Sequence, residues 1–266
     1  MNSSQLKQKQ AYLITGGGAG LGRAIALALV KRGMLVGICD VDEPEANKTV
    51  NKCNEIGKEI NSKSIVSDLS TEDGVNFAVA KMEDEFGQFH GLVNNAGFAT
   101  VEPFLEMTKE SWDKTLGVNV TAVALLCSKA AKSMVTNNIK GRIVNITSPA
   151  ARMPLPNYTH YAASKAAVDS ITRTAAIALA PSGIRVNSLA PGMMDTFMQN
   201  KTEMMMAKIE GRDDHQAFLD ERTGRVPVGR RTNPDEMAAL VEWLLLDAPD
   251  YVTAERLNGS GGLDKD

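Results

Sequence analysis

The chain has only three cysteines, Cys39, Cys53 and Cys127, set far apart and without a Cys-x-x-Cys pair. An odd, scattered set builds neither a disulfide framework nor a structural zinc site, and a reduced, cytoplasmic setting is the expectation that follows. Basic blocks are also lacking. The 29 lysines and arginines against 32 acidic residues give a formal net charge of −3, which offers no footprint for a nucleic acid. No run approaches the roughly 18 apolar residues of a membrane span. Met1–Gln10 has no apolar signal core. No membrane partner is therefore expected. No linker, low-complexity tract or repeat interrupts the sequence. What is present is a globular composition, 43% apolar and 23% charged, on a 266-residue chain long enough to bury a sizeable core.

Short apolar runs alternate with segments of helical spacing. Ala11–Thr15 is a compact apolar run stopped by Gly16, Gly17 and Gly18. Leu21–Arg32 then carries apolar residues at Leu21, Ile25, Ala28 and Leu29 and ends at Gly33. Further strands are predicted at Met34–Asp40, Ser64–Ser67, Gly91–Asn94, Arg142–Thr147 and Ile184–Ala190, with a closing edge at Arg256–Asn258. Helices are predicted at Asp42–Ile56, Glu72–Phe86, Ser111–Val135, Tyr158–Ala180 and Pro234–Leu246. Asp68 to Thr71 reads as a turn with a helix cap. This alternation predicts the α/β class: a single Rossmann-like, doubly wound parallel sheet of about seven strands with helices on both faces. Residues 1–10 read as a loose tail and 11–266 as one domain. The Met-rich, polar segment 191–227 has no strand pattern and is expected to form a loop or lid over the ligand edge.

Thr15-Gly16-Gly17-Gly18-Ala19-Gly20-Leu21-Gly22 follows a strand and opens a helix. A pyrophosphate sits well there, on exposed N–H groups at the positive end of the helix, with glycines allowing close approach. The spacing is GxxxGxG, not GxGxxG, and no Gly-Lys-Ser/Thr follows to make a P-loop. The alternative is a glycine-rich turn without a ligand. Asp40 ends the second strand near the roughly 20-residue offset at which a carboxylate meets the adenosine ribose. It repels a 2′-phosphate, and neither Cys39, Val41 nor Ala19 neutralises it. NAD is thus expected over NADP, the alternative being a solvated strand-end aspartate.

Tyr161 and Lys165 lie four residues apart on a predicted helix and share a face. A phenol near pKa 10 is a poor acid–base catalyst at neutral pH, and a neighbouring ammonium favours the phenolate. Such a pair suits proton exchange with an alcohol or a developing alkoxide. Alone, YxxxK is a weak signal.

Taken together, Thr15–Gly22, Asp68-Leu69, Asn94-Asn95-Ala96-Gly97, Asn119, Ser148, the run from Tyr161 to Lys165, and Pro191-Gly192 with Thr196 resemble the short-chain dehydrogenase/reductase family. The likeness is weaker at Gly229–Glu236 and near the C-terminus. The resemblance implies Tyr161 as general acid/base, with Lys165 holding the nicotinamide ribose and lowering the tyrosine pKa. Ser148 would bond the reacting oxygen, and Asn119 would hold a water of a proton relay. The cofactor site implied comprises Gly16, Ala19, Gly20, Leu21, Asp40, Asp68, Leu69, Asn95, Ala96, Gly97, Tyr161, Lys165, Met194 and Thr196. Hydride transfer between NAD(H) and a secondary alcohol or ketone follows, without a metal. Thr147 is the alternative to Ser148. Tyr158 is expected as a pocket wall, and His160 as structural or exposed. Where relatives carry Asp-Gly-Gly after the last strand, this chain has Ser260-Gly261-Gly262.

Met153, Leu155, Tyr158, Met193, Phe197 and Met198 suggest a mainly apolar substrate pocket. Met204, Met205 and Met206 are expected to pack a lid. Arg152 and Arg212 are the arginines kept as candidates for an anionic group. A 3-oxoacyl-thioester reductase and a catalytically silent dinucleotide-responsive protein stand as alternatives. A homotetramer is implied by the resemblance, through Ser111–Val135 and Tyr158–Ala180.

Overall fold

The computed structural model describes residues 9–57 and 61–264; the predicted tail falls largely outside them, with Lys9 and Gln10 exposed. The strands are β1 (Ala11–Thr15), β2 (Leu35–Asp40), β3 (Ser62–Val66), β4 (Gly91–Asn94), β5 (Arg142–Ile146), β6 (Arg185–Pro191) and β7 (Arg256–Gly259). The α-helices are α1 (Gly20–Lys31), α2 (Glu43–Gly57), α3 (Glu72–Phe86), α4 (Lys109–Leu116), α5 (Ala122–Thr136), α6 (Thr159–Leu179), α7 (Phe197–Ile209), α8 (His215–Gly224) and α9 (Pro234–Glu242). The strands form one sheet in the order β3-β2-β1-β4-β5-β6-β7, with every pairing parallel.

Side chains alternate along a strand, so each strand feeds two cores. Ile14, Ile38, Val93, Val144 and Leu189 pack with Ile25 and Leu29 of α1, Cys53 of α2 and Val241 of α9. Leu13, Ile65, Leu92, Ile143 and Val186 pack with Met82 of α3, Leu126 and Met134 of α5, and Val168 and Ala176 of α6. Each fully buried Leu or Ile in these layers contributes about 2 kcal/mol. The chain winds outward from β1 to β3, returns to β4 beside β1, and winds out the other way. That reversal leaves a crevice beyond the carboxyl ends of β1 and β4, where such sheets bind ligands.

The predicted turn before α3 is present. Thr71 Oγ1 accepts the Gly74 N–H at 3.0 Å, and Asp68 Oδ1 accepts the Ser70 N–H at 2.9 Å. The helix ends at Gly87, whose φ of 72° is left-handed backbone that glycine adopts freely.

Three elements depart from the sequence reading. The helix predicted over Ser111–Val135 is α4 and α5 joined by a π-helical turn at Gly117–Thr121, which contains Asn119. The same Lys109–Thr136 stretch spans 28 residues and contains an 18-residue window of mean hydropathy 1.2, long and apolar enough to cross a membrane, contrary to the reading that no segment comes near this. Half of its apolar stretch is buried inside the fold, where both the β4–β5 region and α6 cover it, and this burial accounts for its composition. Finally, 191–227 holds two helices, α7 and α8, capped by Thr196 and Asp214.

Candidate active site

The turn from β1 into α1 is built for backbone approach. A Cβ on Gly16 would lie 2.9 Å from Ala96 Cα, and one on Gly18 2.8 Å from Asp40 Oδ2, so both positions require glycine. Asn95 staples the turn to β4. Its amide donates to the Thr15 and Gly16 carbonyls at 3.0 Å, while Thr15 Oγ1 accepts the Asn95 and Ala96 N–H groups at 3.0 Å. Helices α3, α4, α7, α8 and α9 are each closed by a side-chain cap, but α1 begins at Ala19 with none. Its first N–H groups are left for a ligand.

A cavity of about 540 Å³ opens on this turn. Gly16, Ala19, Gly20, Leu21, Asp40, Asp68, Leu69, Asn95, Ala96, Gly97, Met194 and Thr196, the residues expected from the sequence, all line it. Asp40 Oδ2 accepts the Gly18 N–H at 2.8 Å and Oδ1 the Asp42 N–H at 3.1 Å. A carboxylate has about four acceptor positions, so it retains capacity for ribose hydroxyls. Arg23 is drawn off to Glu45, the Gly18 carbonyl and Thr49, and does not line the cavity. An open helix start, a glycine cradle and a carboxylate at the far end together fit a dinucleotide.

Ser148, Tyr161 and Lys165 line the same cavity. Ser148 follows β5 and lines the cavity beside Tyr161. Burial pushes the Tyr161 phenol up to about 12, against the lowering effect of the Ser148 hydroxyl. Lys165 Nζ lies 5.6 Å from the Tyr161 ring centre and donates to the Ile146 carbonyl at 2.9 Å. Burial pulls its ammonium down to about 8, with the Asp169 carboxylate opposing. The lowering of the Tyr161 pKa expected from Lys165 is not seen in the ligand-free protein, where desolvation dominates and the opposing effect comes from Ser148. Thr147, the alternative to Ser148, also lines the cavity, but its hydroxyl is committed to the Lys165 carbonyl, to which it donates at 3.1 Å.

Asn119 stands apart from the cavity lining, fully buried in the π turn. Its amide donates to the Phe98 carbonyl at 2.9 Å and Ser164 Oγ at 3.0 Å, and its Oδ1 accepts the Phe98 N–H at 2.7 Å. Both amide hydrogens are committed, which leaves the side chain one acceptor position for the expected relay water. Tyr158 is a wall of the cavity, edge-to-face with Tyr161 at 5.9 Å between ring centres. His160 is buried outside the cavity, with Nδ1 3.4 Å from Thr115 Oγ1.

Sequence reasoning missed what lies behind and above the catalytic group. Asp169 continues the Tyr161–Lys165 spacing by another four residues, a signal that was available. It is buried, and Arg256 Nε of β7 lies 3.2 Å from its Oδ2. The same guanidinium reaches Asp264 at 2.6 Å and the Ser148 carbonyl at 3.0 Å. Asp264 in turn is anchored through its N–H to Ser260 Oγ at 3.1 Å. Above the site, the arginines that line the cavity are Arg222 and Arg225, not the anticipated Arg152 and Arg212. Nothing in the local pattern of α8 marked them.

Comparison with known proteins agrees with this geometry. The family model described as enoyl-(acyl carrier protein) reductase matches residues 16–264. L-2,3-butanediol dehydrogenase of Corynebacterium glutamicum is 32% identical over 255 residues, covering 94% of this chain and 97% of the relative. Among solved structures, NAD+-bound xylitol dehydrogenase superposes with a TM-score of 0.91 at 31% identity, covering 96% of this chain and all of its own. An actinorhodin polyketide ketoreductase variant with NADPH gives a TM-score of 0.91 at 30% identity, covering 96% and 97%. The chain belongs to the short-chain dehydrogenase/reductase family of oxidoreductases.

Proposed function

We propose that this protein interconverts a secondary alcohol and a ketone with NAD(H), Tyr161 acting as the general acid/base. The observation that carries the reading is one cavity with an uncapped helix start and Asp40 at one end and the Ser148–Tyr161–Lys165 group at the other. When bound, the dinucleotide gives or takes the hydride, and its oxidised ring adds a positive charge that favours phenolate. The protein's own residues hold the substrate and manage the proton. Ser148 and Tyr161, which line the same cavity, offer two hydroxyls to a single substrate oxygen. With its pKa near 12, Tyr161 is a protonated phenol at neutral pH, the form that donates to a developing alkoxide. Lys165 holds a cation near the ring when protonated, and the apolar lining excludes competing water.

NAD(H) over NADP(H) rests on Asp40. Together with the cavity wall beside it, Cys39, Val41, Asp68, Leu69 and Ser70, it offers a 2′-phosphate no cation and two carboxylates, Asp40 and Asp68. Solved relatives hold either cofactor, so the preference comes from this chain's own residues. The test is steady-state turnover of a ketone panel with NADH and with NADPH, in the wild type and in Tyr161→Phe. NADH is expected to be favoured, and the substitution to lower kcat by about 10²- to 10⁴-fold while NADH still binds. An NADPH preference, or an active Tyr161→Phe enzyme, refutes the reading.

A further inference from the structure

The lid carries a local charge imbalance directed at the substrate. Glu203 of α7 is fully buried, and its carboxylate receives two guanidinium groups. Arg222 Nε of α8 meets Oε1 at 3.3 Å, and Arg231 meets Oε2. Gln199 Nε2 adds a neutral bond to Oε1 at 3.0 Å. One carboxylate offsets one of the two cations. Arg231 finds further acceptors in Asn200 Oδ1 at 2.9 Å and Thr223 Oγ1 at 3.3 Å. Arg222 finds only the Met206 thioether at 3.3 Å, a weak acceptor, and lies 5.6 Å from the Phe218 ring centre. Its Nη2 has no acceptor among the described residues, and Arg222 is the member of the pair that lines the cavity.

The pattern repeats one turn on. Glu221 is shared by Arg212 and Arg225, both at 2.7 Å, and Arg225 also lines the cavity. Segment 197–231 as a whole is nearly balanced, with seven basic and six acidic residues, so what stands out is the sharing of one carboxylate by two arginines, with one arginine of each pair lining the cavity. A half-buried guanidinium with a free edge is stabilised by an anion that it binds through two parallel hydrogen bonds.

The position relative to the chemistry is also set. The Tyr158 ring stands edge-on to Tyr161 and packs in one cluster with Met206 and Phe218, the two side chains that Arg222 touches. Tyr158 thus links Arg222 to the reacting group within the one cavity. Met153, Leu155, Met193 and Met198 supply apolar wall in the same cavity.

We propose that Arg222, assisted by Arg225 at the rim, binds a carboxylate carried by the substrate at the end remote from its reacting carbon, so that the enzyme acts on a hydroxy acid/oxo acid pair. This rests on the alcohol/ketone reading of the same site and names its substrate class.

The test compares 3-oxobutanoate and 5-oxohexanoate with their methyl esters, using NADH and the intact enzyme. The wild type is expected to show at least about 30-fold higher kcat/KM for an acid than for its ester, as truncating one partner of a buried charge pair costs about 2 kcal/mol or more. Arg222→Met should collapse that ratio, mainly through KM of the acid, without changing the NADH dissociation constant, and Arg222→Lys should restore part of it. Arg225→Gln, a change at an exposed position, should lower the ratio by less. Equal use of acid and ester by the wild type overturns the inference while leaving ketone reduction intact. Loss of NADH affinity in Arg222→Met overturns it by assigning the charge to the cofactor. Calorimetric titration of butanoate into the NADH complex reads the same site without turnover. Binding that Arg222→Met abolishes supports an anion site even if no ketone is reduced, and absence of binding counts against it.

Discussion

Lys165→Met separates the stability cost of the buried lysine from its proposed use. The ammonium is buried, and its pKa falls from the ordinary 10.5 to about 8. A tenfold change in proton affinity corresponds to about 1.4 kcal/mol, so the charged lysine costs the fold about 3 kcal/mol at pH 7. The sign follows from proton counts. Between pH 8 and 10.5 the unfolded chain holds a proton that the folded protein has released, so wild-type stability rises with pH there. By pH 9.5 the cost has shrunk to about 1 kcal/mol on the same linkage. Methionine is similar in volume and carries no charge, but it leaves the Ile146 carbonyl without its donor, a loss of about 1–3 kcal/mol that does not depend on pH. The prediction is therefore a difference of differences. Relative to wild type, Lys165→Met should be about 2 kcal/mol more stable at pH 7 than it is at pH 9.5. Urea unfolding of the cofactor-free proteins at pH 7, 8.5 and 9.5 measures it, with turnover expected to be lost throughout. A stability gap that is flat with pH, or that widens in the mutant's favour toward pH 9.5, refutes the burial argument.

Two further outcomes follow from the packing. A Cβ on Gly22 would sit on the Gly16 carbonyl oxygen and against Asn95 Nδ2, so Gly22→Ala should open the β1–α1 turn. A loss of about 3 kcal/mol in denaturant unfolding, with NADH affinity down at least about tenfold by fluorescence titration, is expected. Arg256→Met strands two buried carboxylates, Asp169 and Asp264, at a cost of about 3–5 kcal/mol. Calorimetry should show Tm falling by about 10 °C, and a change of under about 2 °C would mean that the pair is not coupled to folding.

The sheet was legible because parallel strands buried on both faces read as short apolar runs, and here each run ends at a turn residue. The dinucleotide turn was legible because glycines that permit backbone approach must be written into the sequence. Tyr161 and Lys165 were legible through helical spacing, and Asp169 was available by the same rule. The lid was not. Its charges pair across α7, α8 and the following loop, over separations such as Glu203 to Arg231, which no local window contains. The π turn at Asn119 was hidden for a related reason. It adds a residue to a helix whose apolar spacing continues on either side, and only the contacts to Phe98 and Ser164 reveal why the extra residue is accommodated.

The Arg256 guanidinium has a consequence in time as well as in space. During synthesis the glycine turn emerges first, then Ser148, then Tyr161 and Lys165, and β7 last among the strands. A nascent chain that has passed Lys165 holds the groups proposed for proton transfer, yet Asp169 behind it still lacks its Arg256 partner, and the Ser148 carbonyl its anchor. Docking of β7, the last of the strands in chain order, is thus the assembly step that locks the rear of the site, so completion of the site waits on a strand translated well after the residues it supports.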